Sequence, residues 1–111
     1  MSNSERRQFG RMAVEMAVVA TAADGKTYAG PVRDLSLDGL FICCKVDGAA
    51  QGMECHMLMT NNGGPRPLVI QSRGLIRRVT PGGIGISFTA IGAEELKRIY
   101  HLLMEYSLIE G

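Results

Sequence analysis

The chain has 111 residues, of which 46% are hydrophobic and 21% are charged. This length supports one domain with a real hydrophobic core, and this composition excludes an intrinsically disordered protein. The net charge of +1 excludes a general electrostatic attraction to nucleic acid, which needs many cationic contacts to phosphates, so any anion site must be local.

The N-terminal residues are polar and carry several charges. Residues 1–7 lack the apolar stretch of a signal peptide, and nowhere does a run of about 18 apolar residues occur that could span a bilayer. We therefore expect a cytoplasmic protein that does not insert into membranes. Residues 1–12 are predicted to form a flexible arm that carries arginines, and residues 13–111 are predicted to form a single folded domain.

Turn-forming residues divide the middle of the chain into six segments of strand length. Asp24-Gly25 separates Val14–Ala22 from Thr27–Leu35 and predicts a β-hairpin, because this dipeptide tolerates the positive φ of a tight turn. The other predicted strands are Leu40–Val46, Met53–Thr60, Leu68–Thr80 with a kink at Gly74, and Ile84–Thr89. Short strands with tight turns and no crossover helix favour a small antiparallel barrel or sandwich over a parallel sheet.

The last segment of the chain has the periodicity of an amphipathic helix. Glu94 and Glu95 suit the first helical turn, and Glu94 is predicted to pair with Arg98 at i, i+4. We expect the apolar face to cover a barrel end or a sheet face, with a partner protein or a homodimer contact as the alternative. This predicted face consists of Leu96, Ile99, Tyr100, Leu103 and Tyr106.

Catalytic constellations are missing from the sequence. The two histidines, His56 and His101, lie beside no plausible nucleophile, and the chain has neither a metalloprotease motif nor a phosphate-binding loop followed by lysine. We therefore expect a protein that is not an enzyme and that needs no cofactor. Free cysteines such as Cys43, Cys44 and Cys55 are usually small buried hydrophobic residues, although the adjacent Cys55 and His56 leave a zinc site open.

Three arginines stand close together in the predicted arm. Arg6, Arg7 and Arg11 have Glu5 as the only nearby acid, so their mutual repulsion is relieved only by solvent or by a bound anion. A guanidinium group can contact a phosphate or the O6 and N7 edge of guanine with two hydrogen bonds. The alternative is a basic arm that is simply solvated.

The segment Asp34-Leu-Ser-Leu-Asp-Gly39 lies between two apolar runs. Asp34 can accept hydrogen bonds from the N1–H and N2–H groups of guanine, and Ser36 can donate one to a phosphate oxygen. Gly39 permits a positive φ that brings backbone N–H groups near an anion. The alternative is an ordinary turn between two strands, which favours the same residue types.

The order of these two segments resembles the signature of the PilZ domain family, Arg-x-x-x-Arg followed by Asp-x-Ser-x-x-Gly. Gly83–Phe88 is also similar to the last barrel strand of that family, so the resemblance covers residues 5 to about 105. It implies a six-stranded antiparallel β-barrel with a C-terminal helix that binds cyclic di-GMP. The implied ligand-binding residues are Arg6, Arg7, Arg11, Asp34, Ser36 and Gly39.

The resemblance further implies a bacterial receptor that acts through a partner. Ligand binding would order the arm and alter a surface that contacts another protein, with motility, exopolysaccharide synthesis or virulence as compatible outputs. Arg6 stands where the family distinguishes binding of one ligand from binding of an intercalated pair. Two alternatives are an interaction module that needs no ligand and a barrel that binds single-stranded nucleic acid, which few aromatic residues and a near-neutral charge disfavour.

Overall fold

The computed structural model describes residues 16–61 and 68–110. The predicted arm, with Arg6, Arg7 and Arg11, lies outside the described residues, as does most of the predicted turn at 61–67. The described chain forms six strands and then one helix. These elements are β1 (Met16–Ala22), β2 (Thr27–Leu35), β3 (Gly39–Cys43), β4 (Glu54–Asn61), β5 (Val69–Thr80), β6 (Gly83–Ile91) and α1 (Ala93–Glu110).

The six strands close into an antiparallel barrel. Their order around the barrel is β1-β2-β3-β6-β5-β4, and pairing of β1 with β4 completes the circle. Closure leaves no strand edge of this sheet unpaired, which removes the main route to edge-to-edge aggregation. The predicted six-stranded antiparallel barrel with a C-terminal helix is confirmed.

The hydrophobic core fills the inside of the barrel. Strand residues alternate between inside and outside, so every second side chain of β1, β4 and the first part of β5 is buried. Each large apolar side chain that is fully buried contributes about 1.5–3 kcal/mol to stability. Fully buried core residues include Val18, Leu35, Ile42, Met57, Ile76 and Ile84.

Helix α1 extends this core beyond the barrel. Among residues 93–105, its buried side chains are Ile99, Leu102 and Leu103, which belong to the same apolar cluster as the barrel interior. The Arg98 guanidinium also donates a hydrogen bond of 3.4 Å to the Val69 carbonyl oxygen in β5. No helix within the described part of the chain is long and apolar enough to cross a membrane.

Two predictions about the helix were wrong in detail. Leu96 and Tyr100 are predicted on the buried face but are 37% and 48% exposed, whereas Leu102 is buried and is not predicted there. The side chain of Tyr106 lies outside the described residues. Arg98 pairs with Glu95 at 3.6 Å and not with Glu94. Both errors arise because apolar residues occur on more than one side of this helix, so periodicity alone leaves its rotation ambiguous.

The β1–β2 turn has its positive φ at glycine, as the Asp24-Gly25 dipeptide permits. Within this turn Gly25 has a φ of 89°, and Asp24 does not have positive φ, since no described residue other than glycine does. Instead, an Asp24 carboxylate oxygen accepts a 3.0 Å hydrogen bond from the Lys26 backbone N–H. The hairpin is confirmed, with the left-handed conformation confined to glycine.

Of the three cysteines, only Cys55 is fully buried as expected. Cys55 is 3% exposed, whereas Cys43 and Cys44 are only half-buried. Burial raises the pKa of the Cys55 thiol, with a smaller contribution from Asp24, and so favours its neutral form. His56 is exposed and follows Cys55 on the opposite face of β4, and no group of three or more metal-binding side chains occurs within residues 16–61 and 68–110.

Candidate ligand site on the outer barrel face

The connection between β2 and β3 is a turn that its own serine holds together. The Ser36 hydroxyl oxygen accepts hydrogen bonds from the backbone N–H groups of Asp38 and Gly39 at 3.1 and 3.3 Å. The same hydroxyl lies 3.4 Å from the Gly39 carbonyl oxygen, to which it donates. Because Ser36 is only 6% exposed, its hydroxyl serves the turn in this structure.

Gly39 is required for packing and not for a left-handed conformation. Among the described residues, positive φ occurs only at Gly25, Gly48 and Gly52, so the predicted positive φ at Gly39 is wrong. A Cβ atom at Gly39 would collide with the Ile86 carbonyl oxygen of β6. Glycine therefore allows the start of β3 to approach β6 closely.

The turn is also tied directly to β6. The Phe88 backbone N–H donates a 2.8 Å hydrogen bond to the Asp38 carbonyl oxygen. Gly39 and Ser87 are register partners in the β3–β6 ladder. The turn is therefore a fixed part of the barrel wall.

A β-bulge brings Asp34 to the outer surface beside an arginine. The β2–β3 register shifts between Val32 and Asp34, and both Val32 and Leu35 point into the core. The two residues between them, Arg33 and Asp34, therefore both lie on the outside, as bulges permit. The Arg33 guanidinium donates a 3.0 Å hydrogen bond to the Asp34 carboxylate.

Phe41 forms a flat shelf on the same outer face. It lies between two core residues of β3, faces outward, and is nevertheless only 1% exposed. The ring rests on the backbone of β6, since a Cβ atom at Gly83 would come within 2.7 Å of it and one at Gly85 within 3.7 Å. The guanidinium carbon atoms of Arg33 and Arg78 lie 3.9 and 5.3 Å from the ring centroid, within cation–π range.

A second bulge places two further cations beside this shelf. The β5–β6 register shifts between Ile76 and Arg78, so the adjacent residues Arg77 and Arg78 are both exposed. Without the shift, strand alternation would turn one of them toward the core. The bulge thus keeps both guanidinium groups outside the barrel.

The three arginines Arg33, Arg77 and Arg78 line one cleft with a volume of about 490 Å³. Its lining includes Arg33, Arg77, Arg78 and Ser87, and the pairing of Ser87 with Gly39 joins the cleft to the turn. This volume is in the range of small-molecule sites, about 300–1,000 Å³. Three guanidinium groups in one cleft make it suited to an anionic ligand.

The structure therefore brings together part of the predicted site and adds to it. Asp34, Ser36 and Gly39 lie within one turn region at the cleft, whereas the contacts of the three arm arginines are not described. The three arginines of the cleft are not among the ligand-binding residues predicted from the sequence. One signal was available, because the neighbouring cations Arg77 and Arg78 interrupt the alternation of a strand.

Comparison with known families and structures agrees with this fold. The family model of the PilZ domain matches residues 5–105. No curated protein shows significant sequence similarity to the chain. A solved structure of the PilZ domain of YcgR from Escherichia coli with c-di-GMP is similar with a TM-score of 0.70 and 14% identity, covering 95% of this chain and 94% of that one.

Two more solved structures share the fold at low identity. The PilZ domain of CeSA from a cellulose-synthesizing bacterium has a TM-score of 0.64 and 18% identity, covering 91% of this chain and 98% of that one. The Bacillus subtilis inhibitor of motility, MotI/DgrA, has a TM-score of 0.75 and 14% identity. The alignment covers 95% of this chain but 53% of MotI, so the chain spans about half the length of that protein.

Removal of the Ser36 hydroxyl is expected to destabilise the barrel. Ser36→Ala leaves two backbone N–H groups of the turn without their acceptor, and we expect the free energy of unfolding to fall by about 1–3 kcal/mol in urea denaturation. Ser72→Ala is the matched control, because the Ser72 hydroxyl is equally buried and has no hydrogen-bond partner. Equal losses in the two variants would contradict the turn-holding role of Ser36.

A methyl group at Gly39 is expected to disturb the β3–β6 contact. In Gly39→Ala the new Cβ atom meets backbone and not a flexible side chain, so we expect a loss of about 1–3 kcal/mol or more in thermal or urea unfolding. Gly82→Ala is the control, since a Cβ atom there has no neighbour within 4 Å and φ is not positive. If Gly39→Ala is as stable as Gly82→Ala, the close approach is not what requires glycine.

Proposed function

The chain belongs to the PilZ domain family, and on that premise we propose that it is a non-catalytic receptor for cyclic di-GMP. The observation that carries the proposal is the placement of the Asp34–Gly39 turn beside a cleft that three arginines line. The ligand combines two guanine bases with two phosphodiester anions, so a site for it needs both a base acceptor and cations. The outer barrel face supplies both within a single surface.

Asp34 is proposed to recognise the guanine base. Its carboxylate is 17% exposed and already accepts a hydrogen bond from a planar guanidinium group, that of Arg33. Guanine presents N1–H and N2–H donors in a comparable planar arrangement, so the base can take over or share this acceptor. Ser36 and Gly39 are proposed to hold Asp34 and the turn in position. Ser36 is also proposed to donate a hydrogen bond to a phosphate oxygen when the bound ligand reorients its hydroxyl.

The arm is proposed to supply the other half of the site. Arg7 and Arg11, with Arg6 beside them, would contact guanine and phosphate from residues 1–12 and close over the ligand. A cationic segment that becomes ordered around an anion pays an entropic cost that the new contacts must exceed. The fixed turn and cleft lower this cost, because they need no reorganisation when the ligand arrives.

The output is proposed to pass through another protein. Ordering of the arm would change the surface of a cytoplasmic protein and so change its binding to an effector or to a second copy, with motility, exopolysaccharide synthesis or virulence as the regulated process.

One surface feature favours binding to another protein even without ligand. Val19 and Leu58 are direct cross-strand partners on the outer face, exposed by 42% and 39%.

The proposal is tested by isothermal titration of the purified protein with cyclic di-GMP. We expect micromolar binding by the wild type and a loss of about tenfold or more in Asp34→Ala, Arg7→Ala and Arg11→Ala, because each change removes a hydrogen bond to a charged group. Arg98→Ala is the control, since Arg98 lies on α1 and contacts Glu95 and Val69. Absence of binding by the wild type, or wild-type affinity in Arg7→Ala and Arg11→Ala, would refute the proposal.

A further inference from the structure

We propose that Arg77 and Arg78 form a second phosphate-binding element of the ligand site, separate from both sequence motifs. The inference rests on the proposed function and deepens it. It assigns one phosphodiester of the cyclic dinucleotide to the β5 side of the cleft, opposite the Asp34 side. Four observations on the described residues support it: the position of the two arginines at a bulge, their unpaired charges, the contact of Arg78 with Phe41, and the short distance between the cleft and the turn.

The position of the two arginines depends on a specific backbone feature. Ile76, immediately before them, belongs to the core, and the register shift then leaves Arg77, Arg78 and Val79 exposed in succession. Bulges are found preferentially beside functional sites, where they redirect side chains. Here the bulge directs two adjacent cations into the cleft that also contains Arg33.

Two of the three cations in this cleft, Arg77 and Arg78, are not balanced by a carboxylate within the described residues. Ion pairs among residues 16–61 and 68–110 join Arg33 to Asp34 and Arg98 to Glu95, so Arg77 and Arg78 have no carboxylate partner there. Neighbouring guanidinium groups repel each other unless solvent or an anion relieves the repulsion. A phosphodiester is an anion that two guanidinium groups can grip with parallel hydrogen bonds.

Phe41 holds part of this element in place before any ligand arrives. The Arg78 guanidinium carbon lies 5.3 Å from the centroid of the buried ring, and the Arg78 Cβ atom lies close to Gly85. A stacked arginine has already lost much of its rotational freedom, so less entropy is lost when it binds. The shelf therefore improves the affinity of Arg78 for an anion.

The cleft and the turn are close enough to serve one small ligand. Ser87 lines the cleft and pairs with Gly39 of the turn, while Arg33 lines the cleft and contacts Asp34. A cyclic dinucleotide whose guanine reaches Asp34 can therefore place a phosphodiester at the β5 side. This arrangement separates base recognition from phosphate recognition on the rigid part of the protein.

Arg73 provides a matched control on the same strand. It is exposed on β5 like Arg77, but it lines a different groove together with Glu54 and His56. Replacement of Arg73 removes the same charge from the protein as replacement of Arg77. Any general effect of net charge on ligand binding must therefore appear in both variants.

The experiment measures cyclic di-GMP affinity by isothermal titration for wild type, Arg73→Gln, Arg77→Gln, Arg78→Gln and the double variant of Arg77 and Arg78, over a series of salt concentrations. We expect about a tenfold loss for each cleft variant, a larger loss for the double variant and near wild-type affinity for Arg73→Gln. We also expect the double variant to lose part of the salt dependence of wild-type binding, because screening acts on charge pairs. Circular dichroism melting verifies that each variant folds.

The outcomes separate this inference from the proposed function. If the wild type does not bind cyclic di-GMP, the proposed function fails and the inference fails with it. If the wild type binds but the cleft variants match Arg73→Gln in affinity, the function stands and the inference is overturned. If the double variant loses affinity for cyclic di-GMP but keeps the salt dependence of the wild type, the inference is also overturned. That result would mean that the substitutions act on the structure of the protein and not through the charges of Arg77 and Arg78.

Discussion

The contact of Phe41 with the glycine backbone of β6 is the feature on which the rest of the site depends. Because Gly83 has no side chain, an aromatic ring can lie against the outside of the barrel and still be buried. The ring then offers a surface on which the guanidinium groups of Arg33 and Arg78 stack. Glycine in this strand therefore organises cations and does not form a phosphate loop.

Much of the fold could be predicted from local sequence. Glycine and proline separate six apolar segments, and the Asp24-Gly25 hairpin, the terminal helix and the closed antiparallel barrel follow from those breaks together with the family resemblance. The turn at Asp34–Gly39 was also located correctly. Its chemistry was harder to predict, because the glycine requirement at Gly39 arises from Ile86, which is distant in sequence.

The arginine cleft could not be predicted in the same way, because its residues meet through two register shifts. A bulge depends on how one strand pairs with its neighbour, and Arg33 and Arg77 lie on strands that do not pair with each other. The interrupted alternation at Arg77 and Arg78 therefore does not show that Arg33 lies beside them. The helix gives a second example on a smaller scale. Both Tyr100 and Leu102 lie at helical spacing from Ile99 or Leu103, so spacing alone does not show which of them is buried. Non-local packing decided both cases.

Binding of cyclic di-GMP to the outer face of β2, β3, β5 and β6 can be tested by NMR chemical-shift mapping of isotope-labelled protein. On addition of cyclic di-GMP, we expect large amide shifts in residues 6–11 and, within the barrel, the largest shifts in residues 33–41 and 76–87, on one contiguous surface around Phe41. Shifts concentrated instead around His56 and Arg73, or no shifts at saturating ligand, would contradict the account.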